Sequence, residues 1–252
     1  MLDVERLLTE AEGSPVAVVN PTAKGPVLIV CEHASRRLPE KLGTLGLDAD
    51  ALSSHIAWDP GALAVAERMA RILDAELIHQ RFSRLAYDCN RPPEAAGAMP
   101  EMSEIYEIPG NRALTQGQRD QRTRALYLPF HEAVSAAIDA RSARGQETVL
   151  VTMHSFTPVF MGKERAVEIG ILHDRDSRLA DAMLAAAEGA PYDVRRNEPY
   201  GPEDGVTHTL IKHGLARDLR NVMIEVRNDL IRNEDGQRVM ADLLAELLSK
   251  AL

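Results

Sequence analysis

Three apolar runs in the 252-residue chain finish on side chains that can hold a metal ion or work beside one. They are Val27-Leu28-Ile29-Val30-Cys31-Glu32-His33, Val149-Leu150-Val151-Thr152-Met153-His154-Ser155 and Val222-Met223-Ile224-Glu225-Val226-Arg227. A buried strand has reason to be apolar, but no packing reason to finish on His or Glu. In α/β sheets ligands gather at the C-terminal ends of the strands. Catalytic zinc is commonly held by three protein ligands with one position left for water. His33 and His154 lie far apart in sequence at the ends of two such runs, as a site assembled by the fold requires. For the third ligand Asp59 is favoured, following Ser54-His55-Ile56-Ala57-Trp58. Glu32 is the alternative, disfavoured because alternation along a strand sends it and His33 to opposite faces. Each also has a plainer reading, a hydrogen-bonded core histidine or an ordinary helix N-cap, which the joint pattern outweighs.

Glu225 sits in an apolar β-type run, where an unpaired carboxylate is costly to bury. As a general base it would take a proton from the attacking water and return it to the leaving nitrogen. A same-face ion pair with Arg227 is the structural alternative. The segment Phe82-Ser83-Arg84-Leu85-Ala86-Tyr87-Asp88-Cys89-Asn90-Arg91-Pro92 adds two guanidinium groups and an amide. Asn90 and Arg91 have the chemistry to bind a carboxylate, and Arg84 to polarise a carbonyl and hold an oxyanion. Asp88 reads as the group that orients an arginine. His55, Ser155 and His208 are candidate substrate contacts, with Trp58, Thr207 and His213 as weaker ones.

Elements that could position these groups alternate between strand and helix. Strands are expected near 27–32, 76–80, 84–89, up to 154, 166–172 and 222–226. Helices are expected over 61–75, 115–144 with a break at Pro129, 177–188, near 209–213 and over 236–248. Asp59-Pro60 reads as an N-cap followed by proline at the first helical position. The aperiodic stretch 92–111 is long for a connection and reads as a lid. Residues 1–8 read as an amphipathic helix, not a cleavable signal. One α/β domain spanning 1–252, with a mixed, mostly parallel sheet, is expected.

With 45% hydrophobic and 27% charged residues the chain has the make-up of a soluble globular protein. A net charge of −9 and 4% aromatics argue against a general affinity for nucleic acid or anionic membrane. No apolar stretch approaches the roughly 20 residues that span a bilayer. Cys31 and Cys89 are the only cysteines; both lie in apolar runs and read as buried thiols of a cytoplasmic protein.

Taken in order, Cys-Glu-His-Ala-Ser at 31–35, His-Ile-Ala-Trp-Asp-Pro-Gly-Ala at 55–62, the 82–92 segment, Met-His-Ser-Phe-Thr-Pro at 153–158 and Ile-Glu-Val-Arg-Asn-Asp-Leu-Ile at 224–231 resemble the N-formylglutamate amidohydrolase family. The order is also distantly similar to that of zinc carboxypeptidases: a first His, an Asn-Arg pair, a second His-Ser, and a late Glu-hydrophobic-Arg strand. This resemblance implies a phosphorylase/hydrolase-like three-layer α/β/α sandwich, His33 and His154 as zinc ligands, Glu225 as the water-activating base, and Asn90 with Arg91 as the carboxylate anchor. It implies a metal-dependent hydrolase that cleaves the amide of a small anionic N-formyl or N-acyl amino acid, in amino-acid catabolism. Two departures stand out. The carboxypeptidase pattern places an acidic ligand three residues after the first His, where this chain has Arg36. Better-known family members begin with a Pro-His-Ser-Gly-like motif where this chain has Glu-His-Ala-Ser. A deacylase or carboxypeptidase-like hydrolase of another N-acyl amino acid or short peptide is the rival enzyme. A small-anion-binding protein without a working metal is the rival outside catalysis.

Overall fold

The computed structural model describes residues 6–252. The expected 1–8 helix lies largely outside the described residues, and residues 6–8 are irregular. In chain order the strands are β1 (Val16–Val19), β2 (Val27–Cys31), β3 (Glu76–Gln80), β4 (Met102–Ser103), β5 (Tyr106–Glu107), β6 (Val149–Phe156), β7 (Val159–Phe160), β8 (Lys163–Glu164), β9 (Ile169–Leu172), β10 (Val194–Arg196) and β11 (Asn221–Arg227). The α-helices are α1 (Ala49–Ser53), α2 (Ala62–Ile72), α3 (Gln116–Arg122), α4 (Leu128–Ala143), α5 (Arg178–Ala186) and α6 (Glu234–Ala251).

Seven strands form one sheet in the order β1-β3-β2-β6-β11-β9-β10. Pairs β2/β3, β2/β6, β6/β11 and β9/β10 are parallel, while β1/β3 and β9/β11 are antiparallel. The alternation of the central strands explains the layers. Val27, Ile29, Val149, Val151, Val222 and Ile224 face one way and pack with α2, α5 and α6. Leu28, Val30, Leu150 and Met223 face the other way, against Phe130, Val134 and Ile138 of α4. Strands apolar on both faces are those of a parallel sheet covered on both sides. The result is a three-layer α/β/α sandwich with a mixed, mostly parallel sheet.

Several local expectations need correction. Residues 84–89 are not a strand. Ser83 turns the chain instead: its hydroxyl accepts from Leu85 N–H (3.1 Å) and donates to Ala57 O (2.6 Å), local bonds that compete with a ladder. Helix α2 begins at Ala62, with Gly61 as N-cap at φ +81°, so neither Asp59 nor Pro60 takes the place expected of it. The break in the long helix is a π-helical turn over Thr123–Tyr127, just ahead of Pro129. The segment 209–213 is likewise a short π turn, Leu210–Gly214. β1 and β10 are edge strands of three or four residues, too short to give a periodic signal. No helix among the described residues is long and apolar enough to cross a membrane.

Candidate active site

Register explains why β6 and β11 build the site. Glu225 pairs directly with His154. Val149, Val151 and Met153 face the α2/α5/α6 side, as do Val222, Ile224 and Val226; alternation sends His154 and Glu225 together to the opposite face. His33 lies two residues beyond Cys31, the last residue of β2, the strand on the other side of β6, and Asp59 precedes α2. Asp59 N–H donates to His33 O (2.9 Å), tying the two segments together.

The expected trio converges. His33 Nδ1 and Asp59 Oδ2 are 3.2 Å apart, His154 Nδ1 and Asp59 Oδ2 2.9 Å, and the two Nδ1 atoms 3.1 Å. These three atoms can together hold one ion. Their separations approach the ligand–ligand edge of about 3.3 Å for tetrahedral zinc with bonds near 2.0–2.1 Å. The outer nitrogens agree with that arrangement. His33 Nε2 hydrogen-bonds Asp88 Oδ1 (2.7 Å), and His154 Nε2 is 3.0 Å from Glu32 Oε2, a charge contact more than an aligned hydrogen bond. Carboxylates on the outer nitrogens place the protons there and aim the Nδ1 lone pairs inward. Three inward lone pairs within 3.2 Å repel one another unless a cation or protons lie between them, so the residues present fit a divalent metal.

Charge in the site follows from burial and these contacts. Burial opposes ionisation of both histidines, yet Glu32 and Asp59 hold His154 well above its usual value, and Asp88 and Asp59 raise His33 against burial and Arg84. Protons and a metal would therefore compete for the same lone pairs. Burial works against the Asp59 and Asp88 carboxylates, but the neighbouring cations hold both well below the carboxylate range. Glu32 is drawn down to about 2, chiefly by His154 against burial. Glu225 goes the other way. Burial, with Asp59 adding to it, pushes its pKa up to about 7, and its Oε2 is buried without a hydrogen-bond partner. Arg227 does not satisfy it, pairing instead with Asp229 (2.8 Å) and Glu168 (3.4 Å).

His33, Asp59, Asp88, His154 and Glu225 line one cavity of about 420 Å³, together with Arg84, Asn90, Arg91, His55 and Ser155. Arg84 bridges Asp88 (2.7 Å) and Asp59 (3.4 Å), and its side chain keeps 30% exposure. Ser155 N–H donates to Asp59 Oδ2 (3.3 Å) and its hydroxyl to Pro60 O (2.9 Å), so it steadies the ligand loop. Asn90 donates to Val206 O and accepts from Thr209 N–H (3.0 Å), and Arg91 donates to Gly205 O. Residues 205–209 are thereby stitched to the 88–91 turn. His55 Nε2 is 3.0 Å from Glu104 Oε2 at the cavity wall.

Other candidates stand elsewhere. His208 is outside the cavity lining; its Nε2 meets the Tyr127 hydroxyl (2.9 Å). His213 Nε2 meets His131 Nδ1 (2.8 Å), Thr207 donates to Asp174 (2.7 Å), and Trp58 donates to Ser53 O (3.2 Å). Glu32 offers no atom to the converging trio. The chain has already turned at position 32, so strand alternation was the wrong reason to set Glu32 aside, although its carboxylate does lie outside the trio. Sequence reasoning missed Tyr200, Phe156, Phe160, Met102 and Glu104, all on the cavity wall. Glu104 and Met102 belong to the stretch read as a lid. That stretch carries the β4/β5 hairpin and is pinned at its base by Arg122, whose Nη1 donates to Asn111 Oδ1 (2.6 Å). Both cysteines are buried and unpaired, and burial raises both thiols, Cys31 with help from Asp59.

Comparison with known proteins agrees with the fold and the motif order. No curated protein matches the chain significantly. A crystal structure of a gene product of Agrobacterium tumefaciens shares 64% identity over 98% of both chains, with a TM-score of 0.96. That of N-formylglutamate amidohydrolase from Ralstonia eutropha shares the fold, with a TM-score of 0.64 at 20% identity over 93% of this chain and 96% of that one. The family model for N-formylglutamate amidohydrolase matches residues 25–232, a span holding every residue of the cavity, and the chain belongs to that family.

Proposed function

We propose that the chain is a single-domain, metal-dependent amidohydrolase of N-formyl or other N-acyl amino acids, acting in cytoplasmic amino-acid catabolism. The observation that carries this reading is the convergence of His33 Nδ1, His154 Nδ1 and Asp59 Oδ2 within 3.2 Å beside the unpartnered, buried Glu225. Zinc is the proposed ion, because two imidazoles and one carboxylate are a catalytic zinc donor set. When bound, a divalent cation acidifies a water ligand and polarises a carbonyl.

The residues supply the remaining chemistry. Asp88 and Glu32 hold the two imidazoles in one tautomer. Glu225, raised toward neutrality, accepts a proton from the attacking water and passes it to the amide nitrogen as the C–N bond breaks. Arg84 lines the cavity and keeps donors beyond those used by Asp59 and Asp88, which stabilise an oxyanion. Asn90 and Arg91, held by the 205–209 loop, anchor the substrate carboxylate. His55 and Ser155 set the wall and the ligand loop.

The test is release of formate or acylate from N-formylglutamate and related N-acyl amino acids by purified protein supplied with zinc. Saturable turnover is expected. A protein that binds these anions, hydrolyses none and takes up no stoichiometric zinc would favour the anion-binding alternative.

A further inference from the structure

We infer that the preferred substrate carries a single carboxylate and a bulky apolar or aromatic group, larger than the formyl and glutamyl groups of N-formylglutamate. This rests on the amidohydrolase reading above and narrows its substrate class. Three observations carry it.

Charge comes first. Among the described residues, Arg84 and Arg91 are the only Lys or Arg side chains lining the cavity. Arg84 is already held between Asp59 and Asp88, which leaves Arg91 as the anchor for one carboxylate. A second substrate carboxylate would meet Glu104 and Asp204, which also line the wall. Glu104 takes the neighbouring His55 as its partner (3.0 Å). A dianionic substrate therefore lacks a second cation and faces like charge.

Shape and surface come next. The cavity of about 420 Å³ falls in the range of roughly 300–1,000 Å³ that accommodates drug-sized ligands. Phe156, Phe160, Tyr200, Ile56 and Met102 contribute to its wall. The three rings are gathered by one cation outside the lining. The Arg165 guanidinium carbon lies 4.5 Å from the Phe160 centroid, 4.8 Å from Tyr200 and 5.7 Å from Phe156. Arg165 thus ties the three rings together while they line the cavity.

The mouth continues the same character. The β4/β5 and β7/β8 hairpins meet through Met161 N–H donating to Glu104 Oε1 (2.8 Å). Their tips leave Met102 58%, Ile105 70% and Met161 57% exposed. Large apolar side chains exposed together beside a cavity mark a binding surface more often than chance placement. An apolar substituent would cover them and exclude water from the scissile amide.

The experiment compares N-formylglutamate with N-formylphenylalanine, which puts the apolar group on the side chain, and N-benzoylglycine, which puts it on the acyl group. Both kcat/KM and equilibrium binding to zinc-loaded protein are measured. At least one apolar monocarboxylate should exceed N-formylglutamate by about tenfold in kcat/KM. Phe160→Ala should shrink that ratio about fivefold or more, and Phe160→Leu should restore part of it. N-formylglutamate matching or beating both apolar compounds would overturn the inference. So would Phe160→Ala lowering all three equally. Tighter binding of the apolar compounds with no turnover of any amide leaves the inference standing and removes the hydrolase reading. Turnover that favours N-formylglutamate does the reverse, and failure to bind any of the three overturns both.

Discussion

Glu225 is buried on β11, 6% exposed, and carries an oxygen without a partner; this combination decides what its substitution should do. Glu225→Gln removes the proton acceptor but no atom of the trio. Turnover should fall about 10²–10⁴-fold with zinc content unchanged, measured by steady-state kinetics and metal analysis of one preparation. Near-normal turnover would remove Glu225 as the base. A base works deprotonated, so activity should rise with pH through its ionisation. In the metal-free site that ionisation lies at about 7, and a bound cation pulls it lower. The acid limb of kcat/KM should then fall below pH 7. Asp88 acts one step back, through His33 Nε2 (2.7 Å). Asp88→Asn should weaken zinc about 10–100-fold in competition with a chelator; unchanged affinity would mean that Asp88 serves Arg84 alone.

At the scale of elements, α2 holds Asp59 in place through the turn before it. Gly61 has φ +81°, and a Cβ there would lie 2.5 Å from Ile231 O. Gly145 has φ +66° with nothing within 4 Å of such a Cβ. Alanine at Gly145 therefore carries only left-handed strain, about 1–2 kcal/mol. Gly61→Ala adds a backbone clash and should lower Tm further, with weaker zinc binding because Asp59 moves. Equal Tm losses in the two variants would contradict this. The same scale explains what could be read from sequence. The central strands were legible because both faces are buried, which leaves an unbroken apolar run. The β1 and β10 edges lack such a run. Residues 84–89 look like a strand because Leu85, Ala86, Tyr87 and Cys89 are buried, yet they pack in a loop bonded by Ser83. His33, His154 and Glu225 were legible because polar groups at the ends of apolar runs have no packing reason, whereas Asp59 was reached only by setting Glu32 aside on strand alternation. Tyr200, Phe160 and Met102 were not, since residues in loops and two-residue strands carry no period and only the fold brings them to one wall. His208 misled because composition gave no way to tell that it turns toward Tyr127.

Across the whole molecule, histidines away from the cavity couple stability to pH. His131 and His213 are buried and touch each other, and burial, then neighbouring cationic or imidazole groups, pushes their pKa values down to about 3 and about 4. The unfolded chain takes up protons near the ordinary pKa of about 6.5, whereas the folded pair does not until far lower pH. Their contribution is therefore complete above about pH 6.5 and is lost as pH falls toward 4. Between pH 7 and pH 5 each accounts for up to about 2 kcal/mol. Urea unfolding at the two pH values should show the loss, and His213→Gln should show less of it. An equal loss in that variant would assign the pH dependence to other groups.

The proposed hydrolysis at this site requires a metal held by His33, Asp59 and His154, and titrating zinc into chelator-stripped protein tests that requirement most directly. Zinc uptake should saturate at one ion per chain, N-acyl amino acid hydrolysis should return in proportion, and His154→Ala should abolish both. Full hydrolysis by stripped protein, or unchanged zinc uptake by His154→Ala, would contradict it.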